Sequence, residues 1–196
     1  MGNIGLVVLA AGASRRLGTP KQLLSFQQKP LLQHVLDQTQ EYTFSTKVLV
    51  LGAFAEQILE SVDPISFHVI INEQWAAGMA SSLRAGVTQA LVDCPNLEHL
   101  LFLLSDQPFV SSELIQSLIT THIQHDKLIT ACRYQGQLGV PAIFEKSLFP
   151  ELLQLQGDRG ANALIQAYGD RVGEVAFKLG SFDVDTEEDY RRLGNI

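Results

Sequence analysis

The feature that most constrains this chain is a repeated alternation of short apolar runs with amphipathic stretches. The apolar runs have the length and composition of strands, and they occur at Ile4–Ala11, Lys47–Gly52, His68–Asn72, Leu100–Ser105 and Leu128–Arg133. The amphipathic stretches have helical spacing and lie between the runs, near Leu31–Gln40, Phe54–Ser61, Ser81–Val92 and Ser112–His122. Runs that stay apolar at every position suit strands covered on both faces. The alternation predicts an α/β fold around a largely parallel sheet.

The alternation weakens after about residue 133. A glycine-rich turn, Gly136–Gly139, leads to a short apolar run at Val140–Phe144, and the helical material that follows is interrupted at Gly157–Gly160. A further strand-like run, Glu174–Lys178, precedes a helix that we expect to start near Thr186. Because no repeat, low-complexity tract or linker divides the sequence, we expect residues 1–196 to form a single domain.

Charge and composition exclude several classes of function. The net charge of -7 argues against broad binding to nucleic acid or to an anionic membrane surface. No apolar stretch approaches the roughly 20 residues needed to cross a bilayer. The cysteines, Cys94 and Cys132, are typical of buried thiols in a reducing compartment rather than of a disulfide or zinc site. We therefore expect a soluble, cytoplasmic protein that binds neither nucleic acid broadly nor a membrane.

The segment after the first predicted strand concentrates cations and glycines. Arg15, Arg16 and Lys21 bring three of the chain's 14 lysines and arginines close together. Gly12 and Gly18 allow the backbone to approach a ligand closely, and successive N–H groups in such a loop can form an anion-binding nest. The spacing matches neither G-x-x-x-x-G-K-[ST] nor G-x-G-x-x-G. We interpret the segment as a loop that binds a triphosphate, with a solvated surface loop as the alternative.

Two acidic segments are candidate magnesium ligands. Asp106 follows a predicted strand directly, at the edge where open α/β sheets bind ligands, and Mg²⁺ prefers such carboxylate oxygens. A turn residue before Gln107-Pro108 is an equally good interpretation. Asp185 is a second candidate, or it is simply the residue before the helix cap Thr186. Only the fold decides whether Asp185 lies beside Asp106.

Two further segments are weaker candidates. Ser81, Ser82 and Arg84 lie where a helix N-terminus could meet an anion, although Ser81 could be an ordinary N-cap and Arg84 a solvated side chain. The segment Gly157–Gly160 could close over a second substrate, with Arg159 reaching the phosphate of that substrate. A plain turn between helices explains that segment almost as well.

Other chemically capable residues predict no site. His122 and His125 are three residues apart at a predicted helix end, a position more typical of solvent exposure or helix termination than of metal binding. Met79 is interpreted as a packing residue and Cys132 as a buried strand residue.

Six segments, taken in order, resemble the motifs of a known family. They are Leu9–Leu24, Trp75–Gly86, Ser105–Pro108, Gly139–Phe144, Gly157–Ala161 and Asp183–Thr186. Together they resemble MobA-like nucleotidyltransferases, and most closely the molybdenum cofactor cytidylyltransferase branch. The resemblance covers essentially the whole chain. It implies a Rossmann-like three-layer α/β fold of the nucleotide-diphospho-sugar transferase type, with a mostly parallel central sheet.

The resemblance also implies roles for individual residues. The residues expected to bind nucleotide lie in the first segment: Leu9, Ala10, Ala11, Gly12, Ser14, Arg15, Arg16, Gly18 and Lys21. The residues expected to bind the acceptor are Ser81, Ser82, Arg84 and Arg159. Catalysis would fall to Arg16, Lys21 and Asp106, and Mg²⁺ would be held by Asp106 and Asp185.

The reaction implied by the resemblance is magnesium-dependent transfer of CMP from CTP to the phosphate of molybdopterin, with release of pyrophosphate. A molybdoenzyme would then receive the product. Guanylyltransferases of the family tend to carry Leu-Ala-Gly-Gly where this chain has Leu9-Ala10-Ala11-Gly12, which favours CTP over GTP. The alternatives are another acceptor such as a sugar phosphate, GTP as donor, or a non-catalytic nucleotide sensor or molybdoenzyme chaperone.

Overall fold

The computed structural model describes residues 3–125, 127–184 and 186–194. The strands in this part of the chain are β1 (Ile4–Ala10), β2 (Ser25–Phe26), β3 (Lys29–Pro30), β4 (Thr46–Leu51), β5 (His68–Ile71), β6 (His99–Leu104), β7 (Ile129–Tyr134), β8 (Gln137–Glu145) and β9 (Gly173–Ala176). The α-helices are α1 (Leu31–Gln38), α2 (Ala55–Ser61), α3 (Met79–Asp93), α4 (Ser112–His125), α5 (Phe149–Gln154), α6 (Asn162–Tyr168) and α7 (Glu187–Leu193).

Seven of the strands form one central sheet in the order β5-β4-β1-β6-β8-β7-β9. The neighbours β5, β4, β1 and β6 pair in parallel, and β7 and β9 do so as well. Strand β8 pairs antiparallel with both β6 and β7, so it alone among these seven runs against the others. The prediction of a mostly parallel sheet is confirmed.

Helices cover both faces of the sheet because side chains alternate along the central strands. In β1, Val7 and Leu9 face a core packed by α3, α5 and α6, whereas Leu6 and Val8 face a core packed by α1, α2 and α4. This arrangement is the three-layer fold that the sequence predicts. A third, smaller cluster joins α7 to the start of α1 through Leu193 and Leu31.

The sequence predicted most elements to within a few residues of their observed ends. The short run expected at Val140–Phe144 is longer in the structure, because β7 and β8 form a hairpin around Gln135 and Gly136, both with positive φ. The helix expected near Thr186 is α7, and Thr186 caps it in a capping box with Asp189. None of the helices in the described residues is long and apolar enough to cross a bilayer.

Candidate active site

The loop after β1 is held from below by a buried glutamine. Gln22 is fully buried, and its Nε2 donates to the carbonyl oxygens of Ala10 (2.8 Å) and Gly12 (3.0 Å). Ser14 has a positive φ of 47°, and its Oγ accepts from the backbone N–H of Lys21 at 2.9 Å. These bonds fix both ends of the loop, so its backbone groups have a defined position at the carboxyl edge of the sheet.

Lys21 and Asp106 form an ion pair at this edge. Lys21 Nζ contacts Asp106 Oδ2, although the residues are far apart in sequence, and their side chains are only 15% and 13% exposed. Among the described residues, Asp106 Oδ1 is buried without a hydrogen-bond partner. The backbone N–H of Val184 donates to Asp106 O at 3.4 Å, which brings the chain just before residue 185 to the same place. Asp185 itself lies outside the described residues.

The segment between β5 and α3 lies beside the loop after β1 and forms a second wall of the same cavity. Asn72 Nδ2 donates to Ser81 Oγ at 2.8 Å and to Ser82 Oγ at 2.9 Å. Ser81 Oγ in turn lies 2.8 Å from the carbonyl oxygens of both Gln74 and Gly78. The interpretation of Ser81 as an N-cap is wrong, because Gly78 occupies that position and Ser81 lies inside α3.

A loop from the C-terminal part of the chain closes the cavity. The N–H of Ala80 donates to Gly157 O at 3.0 Å, and a Cβ placed on Gly78 would lie 2.4 Å from the same oxygen. Only glycine permits this approach, and φ of Gly78 is +104°. The contact places Asp158 at the cavity.

The three walls enclose a cavity of about 370 Å³. Its lining residues are Leu9, Ala11, Gly12, Ala13, Arg15, Lys21, Trp75, Ala76, Gly78, Met79, Ser82, Leu104, Ser105, Asp106 and Asp158. The size and the mixture of cations, two carboxylates and apolar side chains suit a small anionic ligand with an aromatic or apolar part.

The cavity contains about half of the predicted site residues. Those that line it are Leu9, Ala11, Gly12, Arg15, Lys21, Ser82 and Asp106. Those that do not are Ala10, Ser14, Arg16, Gly18, Ser81, Arg84 and Arg159. Ala10 and Ser14 belong to the framework of the loop, and the Arg84 guanidinium donates to the Leu155 carbonyl outside the cavity. The ligand-binding roles of all these residues stay predictions.

Comparison with known proteins identifies the family. The family model described as "MobA-like NTP transferase domain" matches residues 6–172. This chain belongs to the MobA-like NTP transferases. The resemblance drawn from the six motifs is confirmed at the level of the family.

Solved structures extend the likeness over the whole chain. Rv0371c from Mycobacterium tuberculosis H37Rv is 34% identical, with a TM-score of 0.86 and coverage of 100% of this chain and 99% of that one. A structure of Rv0371C complexed with manganese is 32% identical, with a TM-score of 0.82 and coverage of 97% of each chain.

Curated relatives carry different names. Nicotine blue oxidoreductase of Paenarthrobacter nicotinovorans is 29% identical over 206 residues, covering 95% of this chain and 94% of its own. Bifunctional protein GlmU of Desulfitobacterium hafniense (strain Y51) is 34% identical over 131 residues and 64% of this chain. The match spans only 28% of the length of that GlmU protein.

Several cavity features of this MobA-like protein escaped prediction from the sequence. Gln22 and Asn72 act through hydrogen bonds to distant segments, and Asp158 reaches the cavity only through the contact between Gly157 and Gly78. The interpretation of Met79 as a packing residue needs correction, because it lines the cavity and is 47% exposed. A polar residue next to a strand end was the one local signal available for Asn72.

A second buried polar cluster lies at the other end of the central strands, beside the amino end of β6. His122 Nε2 and His99 Nδ1 share a hydrogen bond of 3.0 Å, and His122 Nδ1 is 3.0 Å from Thr130 Oγ1. The expectation of exposure is wrong for His122, which is 1% exposed and bonds to Thr130 of β7 and His99 of β6. The expectation of a helix end is confirmed, because α4 ends at His125. The pKa of His122 is lowered to about 4, mainly because the side chain is buried and to a smaller extent because His99 is next to it.

Proposed function

We propose that this MobA-like protein transfers CMP from CTP to the phosphate of molybdopterin and releases pyrophosphate. One observation carries the proposal: Lys21 and Asp106, a phosphate-binding type of side chain and a metal-binding type, lie side by side in one cavity beyond the carboxyl ends of β1 and β6. A plain surface loop has no reason to pair them in a partly buried cleft.

The cavity supports a nucleotide triphosphate as the donor. Lys21 and Arg15 line it together with Gly12, whose position has open space around it where a Cβ would stand. Lysine supplies a point charge and arginine a planar fork for phosphate oxygens. Arg16 is proposed as a third cation, although it does not line the cavity.

Ala11 supports CTP over GTP. Ala11 lines the cavity, and a Cβ added at Gly52 would lie 2.9 Å from the Ala11 Cβ, so the structure around this residue is already closely packed. A glycine at position 11 would leave more room for a purine. The smaller cytosine ring fits the narrower space.

Mg²⁺ fits Asp106 for a physical reason. A buried carboxylate oxygen with no hydrogen-bond partner among the described residues is costly unless a ligand satisfies it, and Asp106 Oδ1 is such an oxygen. Asp106 would hold the ion together with Asp185, and the bound ion would neutralise charge on the phosphates. The manganese complex of Rv0371C, a 32% identical protein, supports a divalent cation as a ligand of this protein.

The residues of the chain contribute positioning and charge rather than proton transfer. The acceptor phosphate attacks the α-phosphorus of CTP and pyrophosphate leaves. Such a phosphate is largely ionised at neutral pH, since its second pKa is about 6, and so needs no general base. Ser82, Arg159, Ser81 and Arg84 are proposed to bind the acceptor; of these only Ser82 lines the cavity. The product would pass to a molybdoenzyme in the cytoplasm.

The test is pyrophosphate release with CTP, GTP, ATP or UTP, each with Mg²⁺ and molybdopterin. We expect release with CTP and its loss in Asp106→Asn. Lys29→Met is the matched control, because it removes an exposed lysine charge that pairs with Asp37 at 2.6 Å outside the cavity. Release with GTP alone, or with a sugar phosphate in place of molybdopterin, would reassign the substrate. CTP binding without turnover would favour the alternative function of a nucleotide sensor or a molybdoenzyme chaperone.

A further inference from the structure

Lys21 and Asp106 neutralise each other, although the proposed function gives each of them a different ligand. Lys21 Nζ engages Asp106 Oδ2 in a setting where both side chains are largely buried. Asp106 Oδ1 accepts no hydrogen bond within the described part of the chain. One oxygen of the carboxylate is therefore engaged by a cation of the protein, while the other is buried and has no partner among the described residues, so it is a candidate ligand for a second cation.

A divalent cation on Oδ1 would lie within a few ångströms of the Lys21 ammonium group. Like charges at this distance repel strongly, because water screens them little in a partly buried site. The carboxylate attracts the incoming cation, but the lysine already offsets much of that attraction. The cavity without nucleotide is thus a poor cation site.

A triphosphate changes the balance. The Lys21 backbone is fixed by the Ser14 hydroxyl at 2.9 Å, but its side chain is long and flexible and can turn to a phosphate oxygen. Asp106 then loses its neutralising partner at the moment when the phosphates bring more negative charge. Both effects favour a divalent cation.

We infer that Lys21 suppresses divalent-cation binding at Asp106 until a triphosphate draws its ammonium group away. The inference rests on the proposed function, since it assigns the metal to Asp106 and the phosphates to Lys21. Metal and triphosphate then bind with positive coupling, and by linkage each strengthens the other by the same factor.

The first test uses Mn²⁺ as the probe and nucleotide-free protein, with free Mn²⁺ followed by electron paramagnetic resonance. Lys21→Met binds Mn²⁺ about tenfold more tightly than the wild type, within the usual range of coupling between sites. Lys29→Met, which removes an equivalent charge elsewhere, leaves the affinity unchanged. Lys21→Gln, which keeps a hydrogen-bond donor for Asp106 without the charge, repeats the result of Lys21→Met and guards against poor folding of one variant.

The second test uses Mn²⁺ and inorganic triphosphate as stabilising ligands in thermal unfolding. In wild type and Lys29→Met, the two together raise the midpoint by more than the sum of their separate shifts. In Lys21→Met this excess is lost. An equal excess in Lys21→Met and the wild type, or Mn²⁺ affinity in Lys21→Met no higher than in the wild type, overturns the inference.

Failure of the proposed function has a different signature. If the double variant Lys21→Met/Asp106→Asn binds Mn²⁺ as tightly as Lys21→Met, Asp106 is not the metal ligand, and both the metal assignment and the inference fall. If the double variant loses the tight site and Lys21→Met keeps it, Asp106 is the metal ligand. The inference then depends only on whether Lys21→Met binds Mn²⁺ more tightly than the wild type.

Discussion

The buried polar groups at the two ends of the central strands differ in their hydrogen bonding. At the amino end of β6, His99, His122 and Thr130 satisfy one another through hydrogen bonds of 3.0 Å. At the carboxyl ends of β1 and β6, Asp106 Oδ1 and Gln22 Oε1 are buried and, within the described residues, have no partner.

The difference separates structural from functional polar groups. A satisfied buried network stabilises one arrangement of the fold, whereas an unsatisfied group costs free energy and persists when a ligand completes it. The comparison therefore predicts that changes at the histidine end of the strands alter stability, and that changes at the cavity end alter turnover.

Asp106→Asn should show the largest effect on turnover. An unchanged turnover would contradict the assignment of function to the cavity end of the strands. The substitution keeps the shape of the side chain and removes its charge. We expect pyrophosphate release to fall about 10²–10³-fold, the usual cost of losing one group aimed at reacting charge. The urea midpoint should change little, which separates this result from misfolding.

Gly78→Ala should reduce stability and turnover together, because Gly78 lies where the segment before α3 contacts the loop at Gly157. Its positive φ and the 2.4 Å approach of Gly157 O both exclude a Cβ. We expect a loss of about 2–3 kcal/mol in the free energy of unfolding. Gly136→Ala is the control, since its φ is +77° but nothing lies within 4 Å of the added Cβ. Equal losses in both variants would show strain alone.

The pH dependence of stability sharpens the comparison at the histidine end of the strands. The pKa of His122 is lowered to about 4, so the unfolded chain takes up its proton near pH 6.5 while the folded one does not. The contribution of His122 to the free energy of unfolding is complete above pH 6.5 and is lost as the pH falls from 6.5 toward 4. We expect about 2 kcal/mol between pH 7 and pH 5. Urea unfolding at both values should show this loss in the wild type and a smaller one in His122→Gln; an identical loss would point to other groups.

Gln22→Met should have the smallest effect. It removes the hydrogen bonds from Nε2 to Ala10 O and Gly12 O but keeps a side chain of similar length. Each neutral bond contributes about 1 kcal/mol, and the loop supports substrate binding rather than chemistry. We expect KM for the nucleotide to rise about fivefold with kcat nearly unchanged, as measured by initial rates. A fall in kcat alone would place Gln22 closer to the reaction.

The sequence predicted what depends on local order. Uninterrupted apolar runs identified the central strands, and the position after a strand identified the loop with Lys21 and the residue Asp106. Their pairing depends on β1 and β6 being neighbours, which only the sheet order shows. The same limit hid Asp158 and misplaced His122, because the side chains that surround them come from elements distant in sequence. Local pattern finds strand ends, and tertiary contacts decide which of them meet.

The contact of α7 with the first part of the chain has a consequence in time. Tyr190 Oη donates to Ser25 O at 2.8 Å, and Leu193 packs on Leu31, ten residues after Lys21. Contacts this remote in sequence close large loops, so they tend to form late in folding. In a refolding experiment the circular dichroism of the sheet should recover before triphosphate binding does. Ligand binding would then report the last step of folding rather than the first.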